Sequence, residues 1–493
     1  MTPSPRPDLD LAALQERVTG RVHRPGEAGY TGLATPWNLA VATSPAAVVE
    51  VVSADDVSEA LLFAAANGLP VAVQSTGHGI ASDLDGALLI HTGRLDECTV
   101  HPEGWARVGA GVRWARLLAE AAPHGLAGPV GSAPDVGVVG YTTGGGIGPL
   151  ARTWGAASDR VRAFDVVTGD GMVRRATAVD EPDLFWGLRG GKGALGVVTA
   201  VELDLVPQAE VYGGALYVDG AHAAAMLHTW REWCRGLPPE ATTSVALLNL
   251  PEGVPGVPPP LAGRFTVAVR FVWTGDHGRG AELFTPLRAV AEPIIDMVGP
   301  MPFAQIGMVH ADPVDPLPAS EYNHLLRDLP AELVDALLEV AGPGTSSPQL
   351  MVEIRQLGGA LAKEPAVPSA VCHRDAAYCL ELVGVLVPPL AEALAAHARV
   401  VAEVVAPWDT GGVLPNFGAH AGAGGVARCY DDVTLARLTE LAERYDPARL
   451  LRIGQVPPRT PAGVPAVTSP DVAVAAVAEA PATTADEEPT AQG

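Results

Sequence analysis

Three features of the sequence predict an α+β protein in which both chain ends build one domain and a second domain is inserted between them. The chain has 493 residues, beyond the size at which a single hydrophobic core stops growing. Up to about residue 207, short β-branched runs alternate with glycine-rich and acidic turns. Over 208–415 the texture changes to longer strand-like and helix-like runs, as expected of an antiparallel sheet covered on one face by helices. From Asp431 to Pro458 a helical stretch, an RYDP turn and a short extended end return the chain to the first domain.

Taken in order, residues 1 to about 20 read as a short helix after a proline-rich start. Val48–Val52 is a β-branched run. Asp55–Asn67 is a helix with polar residues at its start and Asn67-Gly68 at its end, the residues that begin and stop helices. Pro70–Val73, Ala87–Ile90 and Ala106–Gly109 read as strands, and Val112–Ala122 as a helix. Val161–Thr168 and Met172–Ala176 flank Gly169-Asp170-Gly171, a hairpin signal because Asp-Gly supplies positive φ. Gly196–Val206 alternates and stops at Pro207, which cannot donate to a ladder. In the middle region Phe265–Trp273, Met351–Leu357 and Ala377–Leu386 read as strands. Ala221–Arg235, Leu329–Val340 and Leu390–Val404 read as helices. The pair Trp37-Asn38 reads as domain packing. Residues 461–493 are Ala, Pro, Val, Thr and acid, which cannot bury enough apolar surface to offset ordering, so a disordered tail is expected.

The formal charge of −24 disfavours nucleic acid and anionic membrane surfaces as partners. Five scattered cysteines form no C-x-x-C pair, against a disulfide framework or a zinc site. The first residues lack the apolar stretch of a secretory signal and no run is long enough to span a membrane, so a cytoplasmic location is expected.

Three glycine-dense patches lie at Ser75-Thr76-Gly77-His78-Gly79, at Gly131–Gly148 and at Gly187–Gly193. Glycine lets backbone N–H groups converge on a pyrophosphate, and it equally makes flexible turns; the glycines alone do not decide. No G-x-G-x-x-G sits between a first strand and its helix, as a Rossmann fingerprint requires, and no P-loop occurs in the sequence. His78 sits between glycines after a buried strand. A lone histidine is commonly structural, yet an unprotonated imidazole at such a turn can attack an electrophilic cofactor carbon.

The runs WNLAVATSPAAVVEVVSADDVSEALLFAAANGLPVAVQSTGHG, DGALLIHTGRLDECTV, GSAPDVGVVGYTTGGGIGPLARTWG and DLFWGLRGGKGALGVVTAVELDLVP, with AERYDPARLLRIGQVPP near the end, resemble the berberine-bridge-enzyme-like, PCMH-type FAD oxidases of the vanillyl-alcohol-oxidase superfamily, most nearly those of bacterial secondary metabolism. The resemblance implies an N-terminal segment (1–36), a two-subdomain FAD-binding domain (37–207), an α+β substrate domain (208–415), a C-terminal return (416–460) and the tail. It implies FAD attached covalently through His78. Ser75, Thr76, Gly77, Gly79, Gly137, Gly140, Tyr141, Gly144, Gly145 and Gly146 would surround the cofactor, with Val198 at the adenine end and Asn416 and Gln455 near the ring. Tyr141 is equally placed for packing. Ala133 stands where many relatives carry a second, cysteine tether, so a single bond is expected. Leu414 stands where many carry a tyrosine base.

The reaction so implied moves a hydride from a C–H bond next to O or N of a small natural product or sugar-bearing metabolite, such as one of antibiotic biosynthesis, to flavin N5, with O₂ as acceptor. A flavin dehydrogenase and a non-catalytic FAD-containing binding protein are the alternatives, and the oligomeric state is open. With Leu414 in place of the phenol, the base must come from elsewhere. Tyr378 and Glu353 are the candidates. Glu353 shares its strand face with Arg355 and so also reads as an ion pair, and Tyr378 as a core tyrosine. His310 and His324 lack a third ligand at metal spacing, so no metal is expected.

Overall fold

A computed structural model of the protein describes residues 9–80, 82–253, 257–388, 390–418 and 422–455. The tail expected over 461–493 lies outside the described residues.

Two main sheets build the first domain, beside a two-stranded pair of Leu126–Ala127 with Val206–Pro207. The four-stranded sheet runs in the order Arg21–His23, Ala47–Glu50, Leu88–His91, Val71–Gln74, with the last three strands parallel. Their short Val/Leu/Ile runs suit strands buried on both faces. The helix Ala54–Asn67 covers this sheet with Val57, Ala60, Leu61 and Ala64. Ser53 caps it by accepting from the Asp56 N–H, and Gly68 ends it in the left-handed conformation. Because Arg21–His23 pairs with Ala47–Glu50, residues before Trp37 take part in this sheet. The sequence gives little sign of that three-residue edge strand.

The second sheet is antiparallel, in the order Cys98–His101, Trp105–Gly109, Gly196–Asp204, Val161–Thr168, Val173–Thr177. Its expected hairpin turns on Gly171, at φ 79°. The C-terminal return docks on both sheets. The Asp446 carboxylate accepts from the N–H groups of Leu450 (2.9 Å) and Leu451 (3.0 Å), and Leu450 O accepts from Val71 N–H. The RYDP turn is thus held from inside.

The inserted domain is an antiparallel sheet whose long strands run Glu210–Asp219, Arg264–Trp273, Ala241–Leu250, Met351–Gln356, Tyr378–Val385, Ala319–Leu326. Helices Ala223–Cys234, His277–Arg288, Ala331–Ala341 and Leu390–Val405 cover one face through Trp230, Phe284, Leu333 and Val401. Leu380, Leu382, Val352 and Ile354 point into that core. Strand alternation then sends Cys379, Glu381, Glu353 and Arg355 to the opposite face. Cys379 there packs with Ile147 and Ala151 of the first domain.

Trp37 and Asn38 join the two domains, as the sequence suggested. Trp37 Nε1 donates to Val314 O (2.8 Å), and the Asn38 side chain both donates to Ala319 O (3.1 Å) and accepts from Ala319 N–H (3.0 Å).

Candidate active site

The segments expected to form a cradle face one another. A Cβ on Gly137 would lie 3.6 Å from Ser75 Oγ and 3.9 Å from the Thr76 methyl, while one on Gly140 would meet nothing within 4 Å. Gly77 is at φ 77°, and a side chain there would strike Pro36 at 2.6 Å. Only glycine lets Thr76–His78 run this close beside Pro36–Trp37, where Trp37 N–H donates to Thr76 O.

His78 is braced from two sides. Its ring stacks on Trp37, with centroids 4.5 Å apart and planes 13° from parallel. Its Nδ1 is 2.9 Å from Thr76 Oγ1. Burial, helped by the Arg113 charge, lowers its pKa to about 4. The imidazole is therefore neutral at physiological pH, with Nδ1 engaged and a lone pair available for chemistry.

Asn416 connects three segments. Its Nδ2 donates to Tyr141 O (2.8 Å), and its Oδ1 accepts from Lys192 Nζ. A Cβ on Gly144 would collide with both Asn416 and Lys192. Gly145 and Gly146 continue this turn, and Gly146 packs on the Tyr141 ring. Tyr141 takes the packing role. Its phenol fills the domain core between Gly131, Gly146, Gly148 and the edge of Trp114, so only its backbone faces the cradle. Gly79 lies on the other side of Lys192, a Cβ there being 3.9 Å from Nζ. Val198 sits where a β-bulge between Val198 and Ala200 interrupts the ladder to Val161–Thr168.

The sheet face opposite the helices carries a belt of ionisable groups. Glu353, fully buried, accepts from Ser244 Oγ (2.6 Å), from Arg355 Nε (2.8 Å) and Nη2, and from Arg270 Nη1. His310 Nε2 lies 3.6 Å away. Burial opposes ionisation of Glu353, but Arg270 and Arg355 outweigh it and hold the carboxyl well below its usual range. A carboxylate so stabilised is a poor proton acceptor, so Glu353 is the counterion of two arginines and not the base. Tyr378 faces away from this belt. It lies on the helix side, near Trp230, and burial raises its phenol to about 12.

The belt contains two carboxyls that sequence reasoning missed. Glu381 is paired across the strands with Glu353 and lies 3.2 Å from Arg355 Nη2. Burial raises it to about 8 against the opposing pull of Arg355. Glu321 on the edge strand is raised to about 7 by burial and by Asp312. The available sign was a carboxylate inside the apolar run CLELVGV. Beside them, Arg355 lies over the Phe417 ring, 5.0 Å from its centre. Asn323 pins that segment by accepting from Leu414 N–H (2.9 Å) and donating to Phe417 O. Leu414 is buried against Ile147, Cys379 and Phe417. The belt and the cradle therefore meet at Leu414–Phe417. His310 and His324 are both buried, His324 pairing with Asp409 at 2.7 Å. No cluster able to hold a metal ion occurs among the described residues.

Residues 45–177 match the family described as FAD binding domain. The chain is 34% identical over 192 residues to (R)-6-hydroxynicotine oxidase of Paenarthrobacter nicotinovorans, 38% of this chain and 42% of that protein. It is 35% identical over 186 residues to an FAD-dependent monooxygenase of Aspergillus calidoustus, 36% of each. It thus spans about two fifths of the length of these curated relatives. An FAD-linked oxidoreductase of Dictyostelium discoideum is 24% identical over 370 residues, 74% of this chain and 78% of that protein. Among solved structures, berberine-bridge-enzyme-like 1 of Physcomitrella patens superposes with a TM-score of 0.78 at 19% identity, covering 91% of this chain and 99% of that one. The 6-hydroxy-D-nicotine oxidase of Arthrobacter nicotinovorans gives 0.78 at 24% identity, covering 89% and 97%. The fold is that of PCMH-type FAD oxidases.

The residues present fit FAD. Gln455, buried beneath the cradle, donates through Nε2 to Gly418 O (3.0 Å), while its Oε1 has no partner among the described residues. A buried acceptor of this kind calls for a donor, which an N–H of a flavin ring supplies. The open space at Gly140 and the broken ladder at Val198 leave backbone free to approach the rest of the cofactor.

Proposed function

We propose that this protein is an FAD-dependent oxidase that removes a hydride from a C–H bond next to O or N of a small organic substrate, with O₂ as the final acceptor and FAD joined to His78. The reading rests chiefly on Glu381, a buried carboxyl with a pKa near 8, on the sheet face that meets the FAD cradle at Leu414–Phe417. A carboxyl tuned to this range accepts a proton far better than an ordinary glutamate while still ionising near neutral pH.

Bound FAD supplies the hydride acceptor. The chain supplies the rest. Glu381, as carboxylate, takes the O–H or N–H proton whose loss completes the new double bond, and Glu321 is the next carboxyl along the belt. Arg355 holds Glu381 in place and is itself fixed by Glu353. Ile147, Cys379, Leu414 and Phe417 wall the junction with apolar surface and keep water from it. Leu414 brings no phenol, and the proton passes to the sheet instead. At His78 the neutral imidazole, stacked on Trp37 and held by the Thr76 hydroxyl, would carry the covalent link to the cofactor. Backbone amides of the remaining cradle residues, Ser75, Thr76, Gly77, Gly79, Gly137, Gly140, Gly144, Gly145 and Gly146, would hold the diphosphate. Val198 would lie toward the adenine end, and Asn416 and Gln455 toward the ring. We assign the substrate to the natural-product and sugar-bearing metabolites of bacterial secondary metabolism, in the cytoplasm.

The test is absorbance and mass of the purified protein before and after acid denaturation. One FAD mass should stay with the polypeptide and be lost in His78→Ala. Anaerobic bleaching by candidate substrates, followed by oxygen uptake, then separates an oxidase from a dehydrogenase. A flavin that no substrate in a broad alcohol and amine panel reduces would mark a binding protein instead.

A further inference from the structure

Lys192 has no place in the chemistry above, yet it reaches into the cradle. It stands in the run Gly190-Gly191-Lys192-Gly193 at φ 57°, a left-handed conformation that a side chain adopts at a cost and that recurs at functional sites. The backbone is fixed there, because the N–H groups of Gly190 and Lys192 both donate to Thr143 O (3.0 Å each). Its side chain ends among Gly79, Gly144 and Asn416, which belong to three different cradle segments. Its only described hydrogen-bond partner is the neutral Asn416 amide. No carboxylate among the described residues pairs with it, and Cys429 is the one ionisable group near enough to affect it. Burial lowers its pKa to about 8, so the ammonium is still charged at neutral pH. An enclosed cation without an anion is unfavourable unless something else brings the negative charge.

We propose that Lys192 is the counter-charge for bound FAD, its ammonium facing negative charge on the cofactor from between Gly79, Gly144 and Asn416. Two parts of FAD carry such charge, the diphosphate always and the ring once reduced. The proposal rests on FAD occupying the cradle and is independent of the substrate and of Glu381.

Two neutral variants test it. Lys192→Met keeps the length of the side chain. Lys192→Gly suits the left-handed backbone and stays folded even where the methionine does not. Each is made in the full chain, and also in a His78→Ala background so that FAD binding can be titrated. If the diphosphate is the partner, FAD affinity falls tenfold or more in both variants, and the midpoint potential of bound FAD is unchanged. If the reduced ring is the partner, oxidised FAD binds as before, and the preference for the reduced form falls about tenfold, a drop of about 30 mV for a two-electron couple. Lys192→Arg recovers part of either loss. Folded variants that keep both affinity and potential within twofold of the parent, changing at most the melting temperature, overturn the proposal and leave Lys192 a brace for Asn416. A wild-type protein that takes up no FAD overturns it together with the reading beneath it.

Discussion

Replacing Glu353 probes the buried belt without needing a substrate. The side chain is fully buried and receives Ser244, Arg270 and both donors of Arg355. In Glu353→Gln an amide faces two guanidinium groups. Arg355 still has Glu381 at 3.2 Å, but among the described residues Arg270 keeps only the Met351 sulfur, 3.7 Å away, as a side-chain partner. Leaving one buried cation uncompensated costs about 3–5 kcal/mol. The lower end applies here, because loss of the Glu353 charge also lets Glu381 ionise more readily. Replacing both partners with apolar groups removes the unpaired charge as well as the pair. Arg270→Met/Glu353→Met should therefore lie at least about 2 kcal/mol above the sum of its two single variants. Urea unfolding of the parent, the two single methionine variants and the double variant, followed by tryptophan fluorescence, gives the cycle, and Glu353→Gln is unfolded beside them. A Glu353→Gln cost below about 1 kcal/mol, or additive single variants, refutes the claim that Glu353 is the counterion holding both arginines.

Glu381 and Glu321 have folded pKa values above the unfolded ones, so the folded state binds more protons between about pH 4.3 and 8. Stability contributed by these two groups is complete below the unfolded value and lost as pH rises through 7 to 8; Glu381→Gln should flatten that decline in a urea series run from pH 5 to 9. With any compound that bleaches the flavin, the rate should rise with pH through about 8, and Glu381→Gln should lower it about 10²–10⁴-fold in stopped-flow absorbance. Tyr378→Phe, altered on the helix side of the sheet, should leave that rate within twofold.

The strand–helix–strand unit around Ala54–Asn67 was legible because caps, period and β-branched runs all agree there. Three long strands of the inserted sheet were not. Glu210–Asp219 carries Gly213-Gly214, while Ala241–Leu250 and Ala319–Leu326 place Ser244, Glu321 and Asn323 on the site face, which breaks apolar alternation. The helix His277–Arg288 hides behind two glycines and Pro286, and Asp276 caps it by accepting from Arg279 N–H (3.0 Å). The cradle segments were placed by their motifs. Tyr378 stands out in the sequence and Glu381 does not, because alternation separates the two faces of a strand without saying which one meets the first domain. That depends on contacts such as Cys379 with Ile147, far apart in sequence. Lys192 was read as one member of a glycine run, and only the fold shows where its ammonium ends.

The strap from Trp37 to Asn38 also sets an order of events during synthesis. His78 is braced by Trp37, and Trp37 is held by Val314, 277 residues further along the chain. At 5–20 residues per second, the ribosome needs about 15–55 s to make that stretch. For most of that interval, once the 41 residues from Trp37 to His78 have been added, the histidine and its glycines are already part of the chain, but the far anchor of their support does not exist. The cofactor-bearing corner is begun early and finished late, so its assembly waits on the domain that closes over it.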